Sequence, residues 1–216
     1  MGNIIILGAG CKAEHLCDLF TLWDNLHQFY APPYSEDEKK RGVPVTDTII
    51  NPTKHYTVYS SIGETRDKRT LIKQLKAEAT NKNVDYKWGT LTHKTSKDTI
   101  TNSTYGEDFI IREHSSIGSR CTIGSHVSIG PLANVSHNTV IGDYSTICGQ
   151  AAISGGVIIG EGVFIGQGAS IKPNIKIGTG AVVGTGASVV KDVPPNMVVG
   201  GNPAKSSTKF KKVSYW

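Results

Sequence analysis

The sequence predicts a two-part chain: an α/β N-terminal unit of half-Rossmann size, then a left-handed parallel β-helix of hexapeptide repeats. Three observations predict it. Ile or Val stands at every sixth residue from Ile117 to Val189, thirteen positions in succession. Glycine directly follows eight of those thirteen. The N-terminal part opens instead on an apolar run, Ile4 to Leu7, that passes into Gly8-Ala-Gly10. Composition agrees, because 24 glycines with only 19% charged and 7% aromatic residues suit turns at short intervals better than long amphipathic helices.

In the N-terminal part, Asn3 to Leu7 reads as a buried parallel strand and Cys11 to Trp23 as the helix after it. His27 to Tyr30 is a second strand, and Tyr56 to Ile62 another, ended by Gly63. Glu64 to Asn81 is a charged stretch with apolar Leu71, Ile72 and Leu75, the pattern of an amphipathic helix. Val84 to Trp88 closes the unit as a last strand, and Thr92 to Ser103 reads as polar connecting chain. The division expected is therefore 1–103 and 104–216.

A period of six matches neither the 3.6 nor the 7 of a helix. It fits a triangular prism in which each hexapeptide makes one short strand and one corner. The Ile or Val points inward and stacks on its equivalents. The small or β-branched residue two positions earlier, as at Cys121, Val127, Ala133, Ala151, Val163 and Ala181, also faces in. Glycine is expected where the corner backbone needs its freedom. Three hexapeptides close a coil, so residues 18 apart stack, and thirteen give just over four coils.

Charge and cysteine usage narrow the function. The net charge of +5 is mild, with Lys205, Lys209, Lys211 and Lys212 near the end, and suits phosphate-bearing small molecules. No RNA-binding signature or zinc-finger spacing is present, so nucleic acid is not expected as a partner. The apolar run at Ile4 is too short for a signal core or a membrane span, which points to a cytoplasmic protein with four free thiols, Cys11, Cys17, Cys121 and Cys148. Cys121 falls on an inward small position and Cys148 replaces a corner glycine, so both read as packing residues. His114 and His126 are 12 apart, lie on different faces and do not stack, so no zinc site is expected. His15, His27, His55 and His93 read as surface residues.

Gly8-Ala-Gly-Cys-Lys-Ala13 satisfies G-x-G-x-x-A between a strand and a helix, a turn able to present backbone N–H groups to a phosphate. The acidic residue that a dinucleotide site wants after the second strand is missing from Phe29-Tyr-Ala-Pro-Pro-Tyr34. Nucleotide phosphate, rather than NAD, is the expected ligand.

With Val135-Ser-His137-Asn-Thr-Val-Ile-Gly142, Gly184-Thr-Gly-Ala-Ser-Val-Val-Lys-Asp-Val-Pro194, Gly200-Gly-Asn-Pro-Ala-Lys205 and Tyr59-Ser-Ser-Ile-Gly63, the chain resembles a known family. These are the bacterial hexapeptide-repeat sugar acyltransferases: the bacillosamine-pathway and perosamine N-acetyltransferases and the sialic acid O-acetyltransferase. The resemblance covers nearly the whole chain. It implies a homotrimer with active sites between adjacent β-helices, acetyl-CoA as co-substrate and a nucleotide-linked amino sugar as acceptor. It carries the general base to His137, beside Asn138. It carries acetyl-CoA contacts to Thr146, Gly155, Gln167 and Thr185, and nucleotide-sugar contacts to Gly10, Cys11, Lys12, Ile62 and Gly63.

Three departures stand out. Some N-acetyltransferases of the group have Glu after the histidine, where this chain has Asn138, which orients an imidazole but cannot neutralise an imidazolium. Some have a histidine where Thr146 stands. The acidic pair that holds a uridine base is replaced around Ala31-Pro32.

The residues themselves support proton transfer at His137. An amine attacking a thioester must lose one proton, and a histidine suits the acceptor role, typically worth ~10²–10⁴-fold. Corner N–H groups can polarise the thioester carbonyl. Gly155 is one coil above His137, and a glycine there is expected to leave open space for an acetyl group. Direct attack needs no acyl-enzyme. The reading expected is N-acetylation of a nucleotide-linked 4-amino-4,6-dideoxy sugar. O-acetylation of a sialic acid and a non-catalytic β-helix binding module remain as alternatives.

Overall fold

The computed structural model describes residues 4–7, 17–20, 22, 26–30, 39–40, 43–46, 55–61, 65–98 and 102–206. The chain divides into two compact units, Met1–Thr90 and Leu91–Trp216.

In the first unit the sheet order is β3-β4-β2-β1-β5-β6, from β1 (Ile4–Leu7), β2 (Leu26–Tyr30), β3 (Lys39–Lys40), β4 (Val43–Thr46), β5 (Tyr56–Ser60) and β6 (Tyr86–Trp88). All neighbours are parallel except β3 against β4. β1 is central, and Ile5, Ile6 and Leu7 are all buried, the pattern of a parallel strand covered on both faces. Among the described residues one long helix, α1 (Thr65–Asn81), buries Lys68, Ile72, Leu75 and Ala79 along one stripe. The helix read over Cys11 to Trp23 lies mostly outside the described residues, with 17–19 helical. β3 and β4 were not anticipated, because Pro44 interrupts the apolar run and has no N–H for a ladder.

The second unit is the parallel β-helix. Among the described residues its three faces carry seven, six and five parallel strands, about six coils, and one antiparallel strand, Lys205–Ser206, ends the seven-stranded face. One face shows the stacking plainly, with Ile117, Val135, Ile153, Ile171 and Val189 paired in register. Each coil bonds to the next through its backbone, as Gly118 N–H does to the Val135 carbonyl at 2.7 Å and Ser136 N–H to that of Ile153 at 2.9 Å. Twenty-six buried residues form the interior column, each large aliphatic side chain contributing roughly 1.5–3 kcal/mol by leaving water.

The solenoid starts earlier than the hexapeptide pattern suggests. The stretch read as polar connector supplies its first two strands, β7 (Leu91–Thr92) and β8 (Lys97–Asp98), and Thr104–Tyr105 forms β9. Ile111 pairs with Thr92 and Ile117 with Asp98, nineteen residues apart, while Ile123 pairs with Tyr105 at eighteen. One extra residue between β8 and β9 therefore breaks the period, and Thr, Asp and Tyr occupy the positions that Ile or Val hold elsewhere. This is why about six coils stand where just over four were expected.

The glycines after each Ile or Val act differently from the expectation. Left-handed backbone falls two residues further on, at residues such as Arg120, His126, Asn138 and Gly156, with φ of 57°, 59°, 56° and 71°. Gly118 is required for space, since a Cβ there would lie 2.6 Å from the His137 backbone nitrogen on the next coil. The corner thus has two separate demands. Close coil approach selects glycine, and the left-handed position admits Asn, His, Arg or Gly.

Candidate active site

One corner of the prism gathers three of the candidate residues, His137, Asn138 and Gly155. Val135 is buried in the column, and two residues on the chain turns outward, leaving His137 and Asn138 exposed. Asn138 takes the left-handed corner conformation, so its short amide folds back to the preceding ring. Its Nδ2 lies 3.0 Å from His137 Nδ1. One coil below, Arg120 occupies the equivalent corner position and donates from Nε to Asn138 Oδ1 at 2.8 Å. Arg120 was missed in the sequence reading, although the eighteen-residue spacing that paired His137 with Gly155 also pairs Arg120 with Asn138.

Gly155 does adjoin His137, but the space above it is filled. A Cβ on Gly155 would lie 2.7 Å from Cε1, 2.9 Å from Nε2 and 3.3 Å from Nδ1 of His137. The glycine seats the imidazole itself, where an open slot for an acetyl group was expected. His137 is thus held between the Asn138 amide and a Cβ-free platform. Beneath this corner, Cys121 is buried and donates its thiol to the Ser136 carbonyl at 3.2 Å, a packing role.

The remaining acetyl-CoA candidates lie elsewhere on the prism. Gln167 and Thr185 are both exposed and stack at the next corner, where Gly186 N–H donates to the Gln167 carbonyl at 2.8 Å. Thr146 is buried, in a strand flanked by Ser128 and Phe164. The structure brings His137, Asn138 and Gly155 together and sets Gln167, Thr185 and Thr146 apart from them within one chain.

Gly10, Cys11, Lys12, Ile62 and Gly63 lie outside the described residues. The strands they adjoin are neighbours, however: Leu7 at the end of β1 pairs with Ser60 at the end of β5. Ser61 anchors to the Leu7 carbonyl through its N–H at 3.1 Å and its hydroxyl at 2.7 Å. The chain leaves β1 for β2 on one side and returns as β5 on the other, so this edge is the reversal point where open α/β sheets bind ligands.

His126, by contrast, is a buried packing residue. Its Nδ1 bonds to Asp108 Oδ2 at 2.8 Å, and its ring stacks on Tyr144 at 4.9 Å. It belongs to a different corner from exposed His114. No described helix is long and apolar enough to cross a membrane.

Comparison with known proteins places this geometry. Residues 120–155 and 156–191 match the model of the bacterial transferase hexapeptide (six repeats). No curated protein matches the chain. Among solved structures it is similar to PerB from Caulobacter crescentus in complex with CoA and GDP-perosamine, at 23% identity and TM-score 0.78, over 96% of this chain and 98% of that one. It is similar to the acetyltransferase domain of PglB from Neisseria gonorrhoeae in complex with acetyl coenzyme A, at 21% identity and TM-score 0.79, over 96% and 100%. WeeI from Acinetobacter baumannii is 26% identical with TM-score 0.79, over 96% and 100%. Residues 120–191 therefore match bacterial transferase hexapeptide repeats, and the chain shares its fold with the PerB, PglB and WeeI structures.

Proposed function

We propose that this protein is an acetyl-CoA-dependent N-acetyltransferase acting on a nucleotide-linked amino sugar, with His137 as the general base. The observation that carries the reading is the corner at His137: an exposed imidazole, seated on Gly155 and held by Asn138, on a hexapeptide solenoid. Structures of the same fold were solved with CoA and GDP-perosamine and with acetyl coenzyme A, which supports the donor and the acceptor class.

The chemistry is direct. The amine nitrogen attacks the thioester carbonyl, the N–C bond forms and the C–S bond breaks. The amine gives up one proton to His137, and the departing thiolate takes one back. The α/β unit would hold the nucleotide at the edge formed by the ends of β1 and β5, using Gly10, Cys11, Lys12, Ile62 and Gly63. Acetyl-CoA would lie against Thr146, Gly155, Gln167 and Thr185. Those residues occupy different parts of the prism within one chain, which fits grooves formed between neighbouring chains of a cytoplasmic homotrimer. Val140 and Ile158, neighbours on one face, are exposed at 39% and 44% and give such an assembly apolar surface to bury.

Thiol release from acetyl-CoA, measured against UDP-, TDP- and GDP-linked 4-amino sugars, tests the reading. Release with one of them, lost in His137→Ala while the assembly stays intact, is the expected result. Release with free sialic acid alone would transfer the reading to an oxygen acceptor.

A further inference from the structure

Asn138 stands between a group that can only donate and a group that can do either. A guanidinium has no acceptor, so the end of the amide that Arg120 Nε meets at 2.8 Å is its oxygen. The other end, the NH₂, is then the one that lies 3.0 Å from His137 Nδ1. A donor facing Nδ1 requires a lone pair there. A neutral imidazole has one proton to place, and it must stand on Nε2.

We infer that Arg120 is a positioning residue which, through Asn138, holds His137 in the tautomer that carries its proton on Nε2. The alternative arrangement forfeits the Arg120 contact. With the proton on Nδ1, Asn138 would have to turn its oxygen to the ring and press its NH₂ against the guanidinium. Protonating both ring nitrogens would set Nδ1–H against an amide N–H. Aspartate at 138 would behave in the opposite way: a carboxylate accepts from Arg120 and from Nδ1–H at once.

The inference rests on the reading of His137 as base only for its consequence, since the hydrogen-bond logic stands without it. In the resting site Nε2 donates. It becomes an acceptor when the proton passes through solvent from Nε2 to Nδ1 and Asn138 turns over, which breaks the Arg120 contact. The chain thus couples the base to a cation one coil away.

The test is the tautomer itself, read from long-range proton–nitrogen correlations in ¹⁵N-histidine-labelled protein. His137 signals are identified by their loss in His137→Gln. The native protein should show a protonated Nε2 and an unprotonated Nδ1. Arg120→Met frees the amide to present either end, so the Nδ1–H form becomes populated; Arg120→Lys, still a donor, should retain the native pattern. Asn138→Asp should move the proton to Nδ1. A native protein with the proton on Nδ1, or an Arg120→Met spectrum superimposing on the native one, overturns the proposal. Asn138→Asp keeps it testable should Arg120→Met fail to fold, because an unchanged tautomer there overturns it equally. Thiol release by His137→Ala reports separately on the base, so loss of that reading would leave the tautomer result in place.

Discussion

Gly155→Ala separates the seat of the imidazole from the imidazole itself. The added methyl carbon would stand 2.7 Å from Cε1 and 2.9 Å from Nε2 of His137, against a comfortable carbon–carbon separation of about 3.5–4.0 Å. The ring must therefore retreat by roughly 1 Å. It can do so, because His137 is exposed and the obstructed atoms are the far end of a side chain. An off-rotamer imidazole costs on the order of 0.5–1.5 kcal/mol, and the Asn138 contact at 3.0 Å is broken in the process. Gly155 has no left-handed φ, so alanine strains nothing in the backbone. A 1 Å misplacement of a reacting group costs about 10²-fold. We expect kcat for thiol release to fall by about that factor, while the melting temperature drops by no more than a few degrees. Steady-state kinetics with varied acetyl-CoA and a thermal melt make the comparison. An unchanged kcat with a raised KM for acetyl-CoA would refute the reasoning, since the methyl group would then be obstructing the cofactor and leaving the ring alone.

Other substitutions test the scaffold. Gly166→Ala places a Cβ 2.6 Å from the Thr185 backbone nitrogen, which cannot step aside; overpacking of this kind costs about 1–3 kcal/mol, visible as a lower midpoint in urea. Ile153→Ala, at the middle of the interior column, should cost about 2–5 kcal/mol by the same assay. Ser145→Ala removes the hydroxyl that donates to the Gly160 carbonyl at 2.9 Å and accepts from Val163 N–H at 3.1 Å. Leaving that buried amide unpaired should cost about 1–3 kcal/mol, more than Thr139→Val, whose single bond to the Ser154 carbonyl is 3.3 Å long.

What could be read from the residues was what repeats strictly. Ile or Val at every sixth position stacks because aliphatic side chains have nowhere else to go, and the pairings from Ile117 to Val189 follow directly. The first coil was hidden because Thr92, Asp98 and Tyr105 pair in register with Ile111, Ile117 and Ile123 without being Ile or Val, and one extra residue shifts the phase. β4 was hidden because Pro44 argues against a strand unless its neighbour is a short hairpin partner. At the site, the spacing correctly placed Gly155 beside His137 but gave no sign of which group fills the gap. Arg120 follows from the same arithmetic, but a charged residue at a corner reads as solvated until its partner is known. The glycine pattern was visible while its cause was not: coil separation, and not backbone conformation, is what excludes a side chain at Gly118.

The eighteen-residue pairing between successive coils makes this molecule a ruler graduated in fixed steps. Each graduation is worth about 4.8 Å along the axis, the spacing of adjacent strands. Removing one whole graduation below Arg120 would lower the His137 corner by that amount and leave its own four residues in register, because each layer touches only its neighbours. Removing one or two hexapeptides would instead rotate the corner to a different side of the column. Evolution can thus slide this site up or down in quanta, but it cannot tune its height continuously.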